Sequence, residues 1–288
     1  MRHAFLGVGG IGGLLAAALA RSGATCILLL RPETLANYPG RMTVESVVLG
    51  NFDVDVPAAS MLDRDVDVLW VTTKGTQLEG ALALAPAERV GGATVIPLLN
   101  GIDHVALLRS RYRVVVAGAI RVESERLSTA HIHQRSPFLR VELAGAEPVA
   151  GELRNAGISC RVRDDERSLL WDKLAFLAPM ALATTALDAP FGDVRDDARY
   201  NGCCGEALAV ARAEGAPIDE AALFAVQQAT PGEMRSSMQK DVAVGRQPEL
   251  DAIAGPILRG SRRHAIPVPN TEELVRLVRA RLEDPLLR

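Results

Sequence analysis

The sequence is short of several things, and each shortage closes off a class of function. Its four cysteines, Cys26, Cys160, Cys203 and Cys204, show no C-x-x-C spacing and no Cys/His zinc spacing. They read instead as small core residues of a reducing compartment, and the adjacent Cys203 and Cys204 would face different directions on a helix. Positive charge is not in surplus: 32 Lys and Arg against 35 Asp and Glu leave a net charge of −3, which argues against a general nucleic-acid surface. Long apolar runs are missing too. The longest, 174–187, falls below the ~18 residues that suggest a membrane span, and Pro179 interrupts it. The N-terminal stretch is broken by glycines and carries no cleavage pattern, so no signal peptide is expected and the chain reads as cytoplasmic. Internal repeats and flexible linkers are absent as well.

What is present starts at once. Gly7-Val8-Gly9-Gly10-Ile11-Gly12 follows an apolar run, Ala4-Phe5-Leu6, and opens a run of helix formers. In a G-x-G-x-x-G spacing the first glycine allows a tight strand-to-helix turn and the second lets backbone approach a pyrophosphate. The third lets helix and strand pack closely. Phosphates then meet unpaired N–H groups and the positive end of a helix dipole. With 25 glycines in 288 residues the spacing alone is weak; the strand before it and the helix after it make it specific.

Organisation follows from pattern. Apolar runs at 24–30, 66–71 and 93–99 have the composition of parallel strands buried on both faces, with shorter strands expected at 42–49, 52–56 and 158–162. Helices are expected at 78–86 and 147–155 between them. Strands alternating with helices imply right-handed crossovers, an open parallel sheet, and ligands gathered at strand C-termini, where the glycine loop, Arg31, Lys74 and Asn100 all fall. His131 and His133 share a strand face, but with no third ligand evident they read as a solvated face rather than a metal site. From about 163 the pattern turns helical: 166–187, 197–215, 219–230, 250–264 and 271–283, with Asn270 and Glu273 in N-cap spacing before the last. The expected fold is α/β, a Rossmann-type dinucleotide-binding domain over 1–163 followed by an all-helical domain over 164–288.

Two residues suggest a chemistry. An NAD-binding strand usually ends in an acid about 20 residues beyond the glycines; here Arg31 stands in that place, and a planar guanidinium suits the 2′-phosphate of NADP. Glu33 nearby offers the competing hydroxyl-binding acid. Lys173 sits in a helix that is apolar on most sides, where an ammonium either snorkels or has a function. In carbonyl reduction, hydride goes to carbon and an acid gives oxygen a proton, and a desolvated lysine suits that second task.

Taken together, these residues resemble the ketopantoate reductases (2-dehydropantoate 2-reductases) along nearly the whole chain. The matching pieces, in order, are the loop at 7–12, Arg31, Thr72-Thr73-Lys74, Leu98-Leu99-Asn100-Gly101 and Trp171-Asp172-Lys173-Leu174. Ser236-Ser237-Met238 with Asp241 follows, then Glu249 and the stretch Arg262-Arg263-His264 to Asn270. The resemblance implies NADPH and a 2-oxo acid in a cleft between two domains, Lys173 as general acid, Asn100 and Glu249 as orienting groups, and Ser237 on the substrate carboxylate. It also implies Lys74 on the nicotinamide side, and it is compatible with a homodimer.

One departure stands out. Members of that family usually carry Asn one and two turns beyond the lysine, where this chain has Leu177 and Ala181. With spacing of four, 173, 177 and 181 share a helix face, so selectivity for a hydroxylated substrate is expected to weaken unless Thr184 or Thr185 compensates. The expected activity is NADPH-dependent reduction of a 2-oxo acid, ketopantoate in the first instance. The alternatives are a related reductase with a more apolar substrate and a non-catalytic NADP sensor.

Overall fold

The computed structural model describes residues 1–283, and their contacts divide the chain into two compact units: 1–99 with 104–169, and 100–103 with 170 onward. In the first unit the chain begins β1 (Arg2–Leu6), α1 (Gly10–Arg21), β2 (Thr25–Leu29), α2 (Pro32–Leu35), β3 (Arg41–Ser46), β4 (Phe52–Asp55) and β5 (Ala58–Ala59). It continues through β6 (Val68–Val71), α3 (Leu78–Ala81), α4 (Ala87–Val90), β7 (Thr94–Pro97), α5 (His104–Arg109), β8 (Val114–Val115) and β9 (Gly118–Arg121). Then come β10 (Ser124–Arg126), β11 (His131–Gln134), β12 (Arg140–Leu143), α6 (Glu147–Asn155) and β13 (Ser159–Val162).

The main sheet runs β5-β2-β1-β6-β7-β8, every neighbouring pair parallel. The first strand stands in the middle, and the order reverses on either side of it, which is the doubly wound arrangement with its switch point beside β1. Apolar runs form these strands because both faces are covered: Phe5, Leu28, Trp70 and Ile96 pack into one core with α1, while Leu6, Ile27, Leu69 and Val95 pack into another. Register aligns the strand ends, with Leu6 beside both Leu29 and Val71, and Val71 beside Pro97. Two smaller sheets flank it, β10-β11-β3-β4 and β13-β12-β9.

Beyond β13 the chain is helical, as expected: α7 (Glu166–Leu187), α8 (Phe191–Val194), α9 (Ala198–Ala213), α10 (Glu220–Ala229), α11 (Ser237–Ala243), α12 (Leu250–His264) and α13 (Pro269–Glu283). Trp171, Leu174, Phe191 and Tyr200 anchor the core of the second unit, Phe191 meeting Tyr200 edge-on at 5.6 Å between ring centres. Among the described residues no helix is long and apolar enough to cross a membrane.

Two local expectations change. The helix expected over 78–86 is broken into the short α3 and a 3-10 turn over Leu82–Leu84, because Pro86 excludes the helical region for Ala85, which takes φ −133° and ψ 68°. Asn270 does not cap the last helix from outside: α13 already starts at Pro269, and Glu273 pairs with Arg276. The cap comes from α9 instead. The Glu206 carboxylate accepts from Asn270 N (2.8 Å), Asn270 Nδ2 (2.7 Å), Thr271 N (2.8 Å) and Thr271 Oγ1 (2.6 Å), an anion seated on a helix N-terminus.

Glu206 is 9% exposed, so its removal strands several buried donors. Glu206→Ala should lower the unfolding free energy by about 2–4 kcal/mol in urea titration, and Glu206→Gln, which keeps one acceptor, by about half of that. A loss confined to Glu206→Ala, with Glu206→Gln as stable as the parent protein, would argue that packing rather than capping is at stake.

Candidate active site

The glycine loop is shaped by close backbone contact. Gly7 takes φ +97°, and a Cβ there would lie 2.4 Å from Thr73 N, so the turn out of β1 tolerates no side chain. A Cβ at Gly12 would lie 2.3 Å from Thr72 Oγ1 and 2.4 Å from Gly7 O, which is the close packing of helix and strand expected of the third glycine. Gly9, the N-cap of α1, differs: a Cβ there would meet no protein atom within 4 Å. Gly10 and Gly13 are also demanded by packing, against Ser124 O (2.2 Å) and Ile132 Cδ1 (2.6 Å), because β10 and β11 lie across α1.

The carbonyls of this loop are turned into the protein. Gly7 O accepts from Gly9 N (3.0 Å) and Thr72 Oγ1 (2.6 Å), Val8 O from Arg126 Nη1 (3.2 Å), Gly9 O from Gly13 N (2.9 Å) and Gly10 O from Ser124 Oγ (2.9 Å). These carbonyls are occupied within the protein, and α1 begins directly after Gly9, where the first helical N–H groups have no intrahelical partner, the arrangement that suits an anion. Thr73 Oγ1, beside Gly7, is buried and bonds to no protein group. Sequence reasoning missed Ser124 and Arg126, which lie more than a hundred positions downstream with no local signal.

Two residues past the end of β2, Arg31 occupies the N-cap position of the short α2 without a side-chain cap bond and stays 68% exposed, its Nε 3.4 Å from Glu33 Oε1. Both groups that can read the 2′ position of an adenosine ribose therefore stand at one corner. Lys74 is exposed at the start of a 3-10 turn over Gly75–Gln77, three positions past the end of β6.

The second unit holds the remaining groups. Asn100 Nδ2 donates to Glu249 Oε2 at 3.1 Å, joining residues 149 positions apart. The segment 100–103 is clamped to α12. Gly101, at φ +81°, lies so close that a Cβ would be 2.2 Å from Ala252 O, and Asp103 pairs with Arg259 at 2.5 Å while Arg259 also holds Asp251 at 2.8 Å. A Cβ on Gly255 would strike the Arg259 guanidinium at 2.1 Å, so that glycine lets the guanidinium lie against the helix. Lys173 is half-buried on α7, between the buried Trp171 and Leu174.

Ser237 is the exposed first residue of α11, and its neighbour Ser236 is structural. Ser236 Oγ accepts from Gln239 N (3.1 Å) and lies within hydrogen-bond distance of Thr184 Oγ1 (2.9 Å). Leu177 is partly buried and Ala181 is 1% exposed. The two threonines do not replace the missing amides, since Thr184 Oγ1 donates to Met180 O (2.8 Å) and Thr185 Oγ1 to Ala181 O (2.6 Å), and both are buried.

Elsewhere, His131 pairs with Glu45 at 2.9 Å, and His133 Nδ1 accepts from Arg135 Nε at 3.3 Å. Burial pushes the Cys203 thiol up to about 12 and the Cys204 thiol up to about 11, so both stay protonated at neutral pH and are poor nucleophiles.

Of the 32 Lys and Arg residues only Lys74, Lys173 and Lys240 are lysines. Arginine cannot give up a proton in a protein, so a lysine kept in an arginine-rich chain is a pointer to proton chemistry.

Known proteins resemble this chain over nearly its whole length. The model for "Ketopantoate reductase PanE/ApbA" matches residues 3–144, and that for its C-terminal region matches 165–282. A 2-dehydropantoate 2-reductase of Mycobacterium tuberculosis is 31% identical over 234 residues, covering 76% of this chain and 78% of that one. One from Caulobacter vibrioides is 27% identical over 295 residues, covering 96% and 98%. The crystal structure of a PanE/ApbA family ketopantoate reductase from Ralstonia eutropha superimposes with a TM-score of 0.87 at 26% identity, covering 98% of this chain and 99% of that one. With both halves matched in order and the glycine loop built as the fold requires, this chain belongs to the ketopantoate reductase PanE/ApbA family.

Proposed function

We propose that the protein reduces a 2-oxo acid to the 2-hydroxy acid with NADPH, ketopantoate to pantoate being the first substrate to test. The observation that carries the reading is the Asn100–Glu249 hydrogen bond: two polar groups far apart in sequence are joined in the same unit that holds Lys173. A sensor of NADP needs the glycine loop and Arg31 but no such grouping.

The first unit fits the cofactor. Gly9 carries no side chain although nothing in the protein forbids one, its neighbours' carbonyls face inward, and Thr73 Oγ1 is a buried hydroxyl with no protein partner. Val8, Gly9, Gly10 and Ile11 would then border the pyrophosphate, with Gly7 and Gly12 setting the turn and the packing, Arg31 on the 2′-phosphate and Lys74 toward the nicotinamide side. When bound, NADPH supplies the hydride. Lys173 Nζ gives its proton to the carbonyl oxygen as negative charge develops there, Glu249 and Asn100 orient the lysine and the substrate, and Ser237 Oγ donates to the substrate carboxylate.

A second reading shares this chemistry but not the substrate. The side chains of Leu177 and Ala181 offer no hydrogen bond, and the hydroxyls of Thr184 and Thr185 are taken up by their own helix and by Ser236. This favours a 2-oxo acid with an apolar side chain over one whose hydroxyl must be recognised.

NADPH absorbance followed against ketopantoate and a panel of branched and aromatic 2-oxo acids separates the readings. Turnover of ketopantoate far above the rest supports the first and a preference for apolar acids the second, while tight NADPH binding without turnover of any would support a sensor. Lys173→Ala should lower kcat roughly 10²–10⁴-fold with little change in NADPH affinity, and an unaltered kcat would remove Lys173 from the acid role. Arg31→Ala should raise KM for NADPH about tenfold or more while leaving that for NADH nearly unchanged; equal losses with both cofactors would remove Arg31 from the 2′-phosphate role.

A further inference from the structure

Among the groups that turn the loop carbonyls inward, one differs in kind. Thr72 and Ser124 are neutral hydroxyls, but Arg126 brings a full positive charge to the loop, donating from Nη1 to Val8 O at 3.2 Å. Its side chain is exposed at the end of β10, and β10 is held tightly to the first turn of α1, since a Cβ at Gly10 would lie 2.2 Å from Ser124 O. The adjacent acid does not neutralise it, because Glu125 pairs with Arg135. A guanidinium has five N–H donors in a planar fork, and the Val8 carbonyl engages a small part of that capacity. Charge, donor capacity and anchorage are thus combined at the Val8 carbonyl, one residue before the N-cap of α1.

We infer that Arg126 is a further anion-binding residue of the glycine loop, engaging the dinucleotide's pyrophosphate. The inference rests on the dinucleotide reading given above and extends it to a residue outside the glycine motif. Because the pyrophosphate is common to NADH and NADPH, Arg126 contributes to affinity for both alike, whereas Arg31 discriminates between them. It also assigns β10 two tasks: Ser124 braces the loop, and Arg126 braces it and supplies the counter-charge that the dipole of α1 provides only in part.

The test is equilibrium binding, by calorimetry or fluorescence, of NADPH, NADH, ADP-ribose and inorganic pyrophosphate to the full chain at several salt concentrations. Arg126→Ala should weaken the three dinucleotide-type ligands by a similar factor, roughly ten- to a hundredfold, leave the NADPH-to-NADH preference unchanged, and flatten the dependence of affinity on salt. Arg126→Gln keeps a neutral donor for Val8 O. If it restores both the affinity and the salt dependence, Arg126 only braces the loop and the inference is overturned. Unaltered binding in Arg126→Ala, with an unaltered thermal melt, overturns it as well. A wild-type protein that binds none of the dinucleotides would instead bring down the cofactor reading itself, so the two failures are told apart by the wild-type titration.

Discussion

The contact on which the first unit depends is between two stretches of backbone, the turn after β1 and the segment after β6. Gly7 lies against Thr73 N and Gly12 against Thr72 Oγ1 and Gly7 O, at distances where no side chain could stand. That approach lets α1 start immediately beyond β1, and it brings the Thr72 hydroxyl onto Gly7 O. Any widening here would separate the helix N-terminus from the strand ends that Leu6, Leu29 and Val71 align. The same crowding turns the Gly7 carbonyl inward, where it accepts from Gly9 N and Thr72 Oγ1.

The second unit solves a related problem with side chains. Asn100 and Gly101 belong to a segment only four residues long, and that segment is fastened to α12 by a hydrogen bond, a backbone contact and an ion pair. Glu249 is both the N-cap residue of α12 and the acceptor for Asn100, so the start of that helix and the orientation of the amide are set together. The ion pair matters less for its energy than for its placement, since exposed pairs contribute little to stability.

Several residues that carry the family resemblance turn out to support structure. The stretch from Arg262 to Asn270 ends α12, with Ala265 in the left-handed region at φ 52° and Ile266 N bonded to Ser261 O, while Arg263 and His264 hold Glu214. Asn270 then receives the Glu206 carboxylate at the head of α13. In Ser236-Ser237 the first serine caps α11 and is buried, and only the second is exposed. A shared motif therefore mixes residues that shape the helices with residues offered to a ligand, and burial separates the two.

Much of the fold was legible because its signals are local. Apolar runs marked the parallel strands, the bounds of α6, α7 and α12 followed from composition and periodicity, and the glycine spacing announced the turn that Gly7 and Gly12 make. The departures arose where a single residue or a distant partner overrode the pattern: Pro86 cut short the helix after α3, and α13 took its cap from Glu206 rather than from its own flank. For the site, the sequence by itself named candidates: the glycine loop, Arg31, Lys74, Asn100 and Lys173 by pattern and position, and Ser237 and Glu249 through the family resemblance. Only the tertiary structure decided that Glu249 receives Asn100, that the Thr184 hydroxyl meets Ser236, and that Ser124 and Arg126 brace the glycine loop. The reason is range. Periodicity and spacing record what a residue does within a few turns of its own element, whereas these contacts join positions far apart in the chain, and no local pattern encodes them.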